Sequence, residues 1–156
     1  MPSEGRHRFL VVGLGNLLLA DDGVGVHAVR RLAEDPPPGA LVVEVGTAIL
    51  DALHLLEGAE RVLAIDAVQA GGEPGTVYLS GLDEMAQPGV ALSLHELDIR
   101  TAVRMMGSGK ELQVAVVGVE PQTIDYGMEL TEPVAAALPS VEREVRRIVS
   151  EWSAME

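Results

Sequence analysis

Apolar and polar positions follow two alternating patterns over the first half of the chain. Short continuous apolar runs, typical of strands covered on both faces of a sheet, predict strands over Phe9–Val12, Leu41–Val45 and Arg61–Val68. Apolar residues at helical spacing predict helices over Val24–Glu34 and Ala48–Glu57. Because strands and helices alternate, the pattern indicates a parallel sheet with right-handed crossovers.

The second half of the chain begins with a different pattern. Thr76–Leu79 follows the third strand too closely for a crossover helix, so we expect an edge strand, and an antiparallel direction is open. Ser80–Leu92 is rich in glycine, proline and polar residues and is predicted to be irregular. Ser93-Leu-His-Glu96 has the spacing of a capping box, which predicts a helix over Leu94–Met106 that ends at Gly107.

One more strand and one more helix complete the predicted fold. Leu112–Val119 is apolar and predicts the fifth strand, and Thr131-Glu-Pro133 opens the last helical region. Pro139 is expected to kink or split that helix, with Ser140 available to cap its second part. No internal repeat or linker interrupts the pattern, so we expect a single domain over residues 1–156, with residues 1–8 flexible.

Composition narrows the function classes. The 156 residues carry a formal net charge of −13, which disfavours nucleic acid as a partner. The chain has no cysteine, which excludes disulfides, a thiolate metal site and a cysteine nucleophile. The apolar stretch Phe9–Ala20 is too short and too rich in glycine to cross a bilayer. We therefore expect a cytoplasmic enzyme or binding domain with no membrane partner.

The turn after the first strand has the beginning of a dinucleotide-binding motif but lacks its completion. Gly13 and Gly15 are present, whereas Leu18 stands where the third glycine belongs. Asp21 and Asp22 would place negative charge where a pyrophosphate needs free backbone amides. The motif is better explained as a tight turn that places the two aspartates at the carboxyl edge of the sheet. The alternative is that they only cap the first helix.

Asp66 and His95 are further candidates for binding a cation near these aspartates. Asp66 ends an apolar strand and would face the crevice where open α/β sheets bind ligands, unless it only forms a local Asx turn. If the first and third strands are neighbours, Asp22 and Asp66 can approach each other and attract a cation. His95, in the first turn of its helix, would be a third ligand, although a lone histidine is more often a surface residue. An Asp, Asp and His set suits nickel or zinc with coordination positions open for substrate.

The other histidines are weaker candidates. His27 shares a predicted helix face with Arg30 and Arg31, so we expect it to be solvated. His54 lies three residues from Asp51 and from Glu57, and the same interpretation applies to it.

Four segments together match one family: Gly13-Leu-Gly-Asn-Leu-Leu-Leu-Ala-Asp-Asp-Gly-Val-Gly25, Ile65-Asp-Ala67, Ser93-Leu-His95 and Gly118-Val-Glu-Pro121. Gly46-Thr47 and Gly127-Met-Glu-Leu-Thr131 extend the match, which runs from about Phe9 to Ile148 in the same order. The chain resembles the nickel-iron hydrogenase maturation endopeptidases.

The resemblance implies a three-layer αβα protein with a central, mostly parallel, twisted sheet of five strands. It also implies an endopeptidase that removes a short C-terminal extension from the hydrogenase large-subunit precursor after nickel insertion. The family's metal-binding and catalytic residues map to Asp22, Asp66 and His95, although many members carry glutamate at the position of Asp22. The nickel would come from the precursor, and no organic cofactor is expected.

Two rival functions and several points stay open at this stage. The rivals are a non-catalytic metal- or nucleotide-binding module on the same fold and a general peptidase with its own zinc. A monomer is the expectation, but the sequence does not define the oligomeric state or decide whether Asp21 binds metal or supports the turn. The segments Ser80–Leu92 and Pro121–Thr131 border the predicted cleft and are candidates for recognising the precursor.

Overall fold

The computed structural model describes residues 8–81, 94–105 and 112–155. The strands of these residues are β1 (Phe9–Leu14), β2 (Ala40–Gly46), β3 (Arg61–Ala67), β4 (Val77–Gly81) and β5 (Gln113–Val119). The helices are α1 (Val24–Leu32), α2 (Leu53–Glu57), α3 (Leu94–Met105) and α4 (Glu132–Ala154), with 3-10 turns at Ala20–Gly23 and Ile49–Ala52.

The five strands form one mixed sheet in the order β2-β1-β3-β5-β4. β1, β2, β3 and β5 are parallel, and β4 pairs with β5 in the antiparallel direction at the edge, which confirms the open prediction for this strand. β1 and β3 are direct neighbours, with Gly13 opposite Ile65. The turns that follow these two strands therefore lie side by side at the carboxyl edge of the sheet.

Helices cover both faces of the sheet, so the protein has the predicted three layers. On one face, α1 and α4 pack against the sheet through buried residues that include Val29, Leu32 and Val145. On the other face, Leu56 of α2 and Ala102 of α3 pack against β1 and β3. The strands in the middle are buried on both sides, which explains why they are continuous apolar runs.

The structure corrects the prediction for the last helix. α4 runs without a break from Glu132 to Ala154 and includes Pro139, so the predicted split does not occur. Pro139 itself is exposed, while Leu138 and Val141 on either side of it are buried against the core. This packing offsets the loss of one helical hydrogen bond. Ser140 does not begin a new helix, and its hydroxyl instead accepts a hydrogen bond from Arg143.

Three smaller points complete the comparison with the sequence. The second predicted helix begins as the 3-10 turn Ile49–Ala52 and becomes α-helical only at Leu53. Ser93, most of Ser80–Leu92 and Gly107 lie outside the described residues, as do His7 and most of the N-terminal segment. None of the described helices is long and apolar enough to cross a membrane.

Candidate active site

Asp22 is placed by the turn that connects β1 to α1. Its Oδ2 atom accepts a hydrogen bond of 2.8 Å from the backbone N–H of Asn16. Gly15 has a φ of 119° and packs so closely that a Cβ there would collide with the backbone oxygen of Asp22. A side chain at Gly25 would likewise collide with the carbonyl oxygen of Ile65. These glycines are therefore required by backbone contacts that place Asp22 beside the end of β3.

His95 approaches Asp22 from the first turn of α3. Its Nε2 atom lies 3.2 Å from Oδ1 and 3.1 Å from Oδ2 of Asp22. Burial opposes ionisation of this carboxyl group, but the hydrogen bonds from His95 and from the Asn16 amide, together with the His95 charge, hold the pKa of Asp22 below its ordinary value. The structure thus brings together two of the three predicted site residues, and the carboxylate is the stable form of Asp22.

Asp66 lies one residue before the end of β3, opposite Gly118 of β5. Only 2% of it is exposed, and its Oδ1 atom accepts a hydrogen bond of 2.9 Å from the backbone N–H of Ala67. The 3-10 turn that carries Asp22 contacts β3. Asp22 and Asp66 are therefore at the same edge of the sheet, on neighbouring connections, as the sequence predicts.

The described residues contain no group of three His, Asp or Glu side chains that could hold a metal ion as they stand. Asp22 and His95 are in direct contact, and Asp66 makes its own local hydrogen bond. A role for Asp66 as the third ligand stays a prediction.

Asp21 has a different role from Asp22, which the sequence does not decide. It is 0% exposed, and its carboxylate accepts hydrogen bonds from the backbone N–H groups of Gln122, Thr123 and Thr131 and from the hydroxyl of Thr131. These four bonds satisfy the buried charge and fix both ends of residues 122–131. Asp21 thus supports the segment that follows β5 rather than facing the crevice.

Glu120 is a third buried carboxylate, and the sequence analysis gave it no role beyond the family segment that contains it. It accepts hydrogen bonds from the backbone N–H groups of Ala70 and Gly72 and from the hydroxyl of Tyr78. Burial and the hydrogen bond to Glu120 raise the pKa of Tyr78. Glu120 follows an apolar strand just as Asp66 does, and this shared pattern is the signal that could have identified it.

His54 is exposed, as expected. His27, in contrast, is not the solvated residue that its helix face predicts. Its Nε2 atom is buried and has no hydrogen-bond partner. Burial and the charge of Arg30 lower the pKa of His27, although its hydrogen bond to the Met128 backbone opposes the shift. The Met128 backbone, which is remote in sequence, lies close enough to His27 to affect its pKa, and the helix face does not reveal this contact.

Comparison with known proteins decides the family. The model of the hydrogenase maturation protease family HycI matches residues 26–148. The chain belongs to the hydrogenase maturation protease family. The predicted family and the predicted hydrolase class are thereby confirmed.

Relatives of this protease are similar over most of the chain. The "hydrogenase expression/formation protein HupD" of Rhodobacter capsulatus is 32% identical over 160 residues, which cover 97% of this chain and 76% of that protein. The "hydrogenase 2 maturation protease" of Escherichia coli is 30% identical over 146 residues, 87% of each. The solved structure of the nickel-iron hydrogenase maturation protease HybD from Thermococcus kodakarensis has a TM-score of 0.78 at 29% identity, covering 90% of this chain and 98% of that one.

Proposed function

We propose that this chain is the cytoplasmic endopeptidase that removes the C-terminal extension of a nickel-loaded nickel-iron hydrogenase large-subunit precursor. The observation that carries the proposal is the contact between Asp22 and His95 Nε2 at the carboxyl edge of the sheet. Both residues lie in the segments that resemble the family's metal-binding motifs. The relatives named as hydrogenase maturation proteases support the same substrate class.

The residues fit nickel that arrives with the substrate. Carboxylate oxygen and imidazole nitrogen are suitable donors for nickel and zinc. The lowered pKa of Asp22 keeps its carboxylate ionised, so that no proton has to leave Asp22 when the metal arrives. The side chains of His95 and Asp22 are 11% and 17% exposed, so part of each side chain remains in contact with solvent.

In this mechanism Asp22, Asp66 and His95 bind the nickel of the precursor and so hold the scissile bond in a fixed position. A precursor without nickel lacks this contact and would not be positioned, which makes cleavage dependent on completed metal insertion. The nickel supplies a Lewis acid for the peptide hydrolysis. Asp66, buried beside Ala67, would contribute a carboxylate whose orientation is fixed by the end of β3.

The experiment that tests this function measures the mass of a nickel-loaded precursor after incubation with the purified protein. Asp22→Asn, Asp66→Asn and His95→Gln should each slow removal of the extension by roughly 100-fold or more. Asp51→Asn and His54→Gln are matched controls, because both residues are exposed and lie on the 3-10 turn and helix after β2. Both should process at the wild-type rate.

Other outcomes favour the rival functions. If the three site variants cleave as fast as the wild type, the assigned residues are wrong. No cleavage of a verified nickel-loaded cognate precursor would indicate a non-catalytic binding module. Stoichiometric zinc in the purified protein, together with cleavage of unrelated peptides, would indicate a general zinc peptidase.

A further inference from the structure

Four exposed apolar side chains lie on two segments next to the candidate active site. They are Leu18, Ile124, Tyr126 and Met128, called here the docking patch. The two segments are joined at the parallel bridge between Leu19 and Gly127. The Gly127 N–H donates to the Leu18 carbonyl, and the Ala20 N–H donates to the Gly127 carbonyl. Leu18 therefore lies beside Tyr126 and Met128, four residues before Asp22.

These exposed apolar side chains are unusual because they lie on two joined segments rather than apart on the surface. Tyr126 is 91% exposed and Met128 is 63% exposed. Single exposed apolar residues are normal on a protein surface, whereas a contiguous apolar patch marks an interaction site. Tyrosine and methionine are also enriched in protein interfaces.

The patch is held in place before any partner arrives. The four hydrogen bonds to the buried Asp21 carboxylate fix residues 122, 123 and 131. The bridge between Leu19 and Gly127, with its two backbone hydrogen bonds, and the hydrogen bond from the Asp21 N–H to the Thr123 carbonyl tie the segment to the turn before α1. Since an ordered surface loses little conformational entropy on binding, this arrangement favours recognition of a macromolecule.

Charge around the patch indicates the chemistry of the partner. Residues 9–29 and 112–131 contain no lysine or arginine. The two segments carry five acidic residues, of which Asp21 and Glu120 are buried and Asp125 and Glu129 are exposed on either side of Tyr126. An apolar surface with an acidic rim is complementary to an apolar segment flanked by lysine or arginine.

We propose that the docking patch binds such a basic, apolar segment of the hydrogenase large-subunit precursor, outside the nickel site. This inference rests on the proposed function for the identity of the partner. The patch adjoins Asp22 along the same turn, so that a precursor seated on it would have its metal next to Asp22 and His95. The patch thus adds affinity for the protein part of the substrate. The metal site makes cleavage depend on nickel insertion.

Binding of nickel-free precursor measures the patch separately from the metal site. Tyr126→Ser and Met128→Ser should each raise the Kd by about tenfold or more. Met155→Ser is the matched control, because Met155 is 66% exposed but contacts Arg61 at the opposite end of β3. It should bind as the wild type does. Added salt should weaken binding, and the double variant Asp125→Asn with Glu129→Gln should reduce that salt dependence.

The outcomes separate this proposal from the proposed function. Equal Kd values for Tyr126→Ser, Met128→Ser and Met155→Ser would overturn the docking patch, even if the wild type cleaves nickel-loaded precursor. Patch-dependent binding without any cleavage would support the patch and overturn the proposed function. If the wild type is a dimer and Tyr126→Ser dissociates it, the patch binds a second copy of this chain and the proposal is overturned. Binding that does not depend on salt would overturn the basic character of the partner.

Discussion

Both carboxylate oxygens of Asp22 lie within 3.2 Å of a single atom of His95, the ring nitrogen Nε2. This nitrogen and these oxygens are the atoms that would bind the substrate's nickel under the proposed function. The contact joins the turn before α1 to the first turn of α3 across the carboxyl edge of the sheet. It holds the two side chains together and helps to keep the pKa of Asp22 below its ordinary value.

The length of the side chain at position 22 and its charge should affect precursor processing separately. Asp22→Glu keeps the carboxylate and restores the residue that many family members carry, so we expect nickel-dependent cleavage within about tenfold of the wild type. Asp22→Asn keeps the shape but removes the charge that binds the cation, and it should lose processing. The product mass under single-turnover conditions measures both. An active Asp22→Asn variant would contradict a ligand role for this side chain.

Asp21 should matter for stability more than for metal binding. Asp21→Asn replaces one of the acceptor oxygens by a donor facing backbone N–H groups, so the free energy of unfolding should fall by about 2–4 kcal/mol. Denaturant unfolding measures the change, and hydrogen exchange should be faster in residues 122–131. Asp125→Asn is the control, because this acidic residue of the same segment is exposed. A fully stable Asp21→Asn variant would refute the anchoring role.

Glu120 should anchor the loop between β3 and β4 in the same way. Glu120→Gln weakens three hydrogen bonds and should lower the free energy of unfolding by about 2 kcal/mol. Tyr78→Phe removes the hydroxyl, which donates to Glu120 and accepts a hydrogen bond from the Gly72 N–H, and should cost about 1–2 kcal/mol. Combining the two changes in a double-mutant cycle gives their coupling. Additive effects would mean that the Tyr78 hydroxyl and Glu120 do not interact.

His27 should make the protein less stable as the pH falls. Its folded-state pKa lies below the ordinary value of about 6.5, so the unfolded chain binds more protons as the pH drops through this range. The free energy of unfolding of the wild type should therefore decrease from neutral pH downward. His27→Gln should remove part of that decrease, measured by urea unfolding across the range.

The exposed histidine provides the comparison for this measurement. His54→Gln removes a titratable group of the same kind from the surface of α2, and it should leave the decrease with pH in place. Identical pH profiles for the wild type and His27→Gln would contradict the lowered pKa of His27.

The local sequence predicted most of the strands and helices. It also predicted that the candidate site lies at the carboxyl edge of the sheet. The apolar runs of β1 and β3 are continuous because both faces of these strands are covered, and this pattern is visible without a structure. Gly13 and Gly15 indicated the tight turn, and Asp22 and His95 are brought together as the motif predicts.

The features that the sequence did not predict depend on partners remote along the chain. The role of Asp21 is defined by its hydrogen bonds to residues 122, 123 and 131. The environment of His27 depends in part on the Met128 backbone. The three donors of Glu120 come from two other elements of the fold. The continuity of α4 through Pro139 is likewise tertiary, because packing against the core overrides the local effect of proline. Secondary-structure propensity and residue spacing do not reveal these contacts between distant parts of the chain.

The most direct test of the central claim compares one precursor in two states. The purified wild-type protein is incubated with the nickel-loaded and with the nickel-free large-subunit precursor, and the mass of each product is measured. We expect loss of the C-terminal extension only from the nickel-loaded form. Cleavage of both forms at the same rate would contradict the role of substrate nickel at Asp22, Asp66 and His95, and cleavage of neither would contradict the peptidase itself.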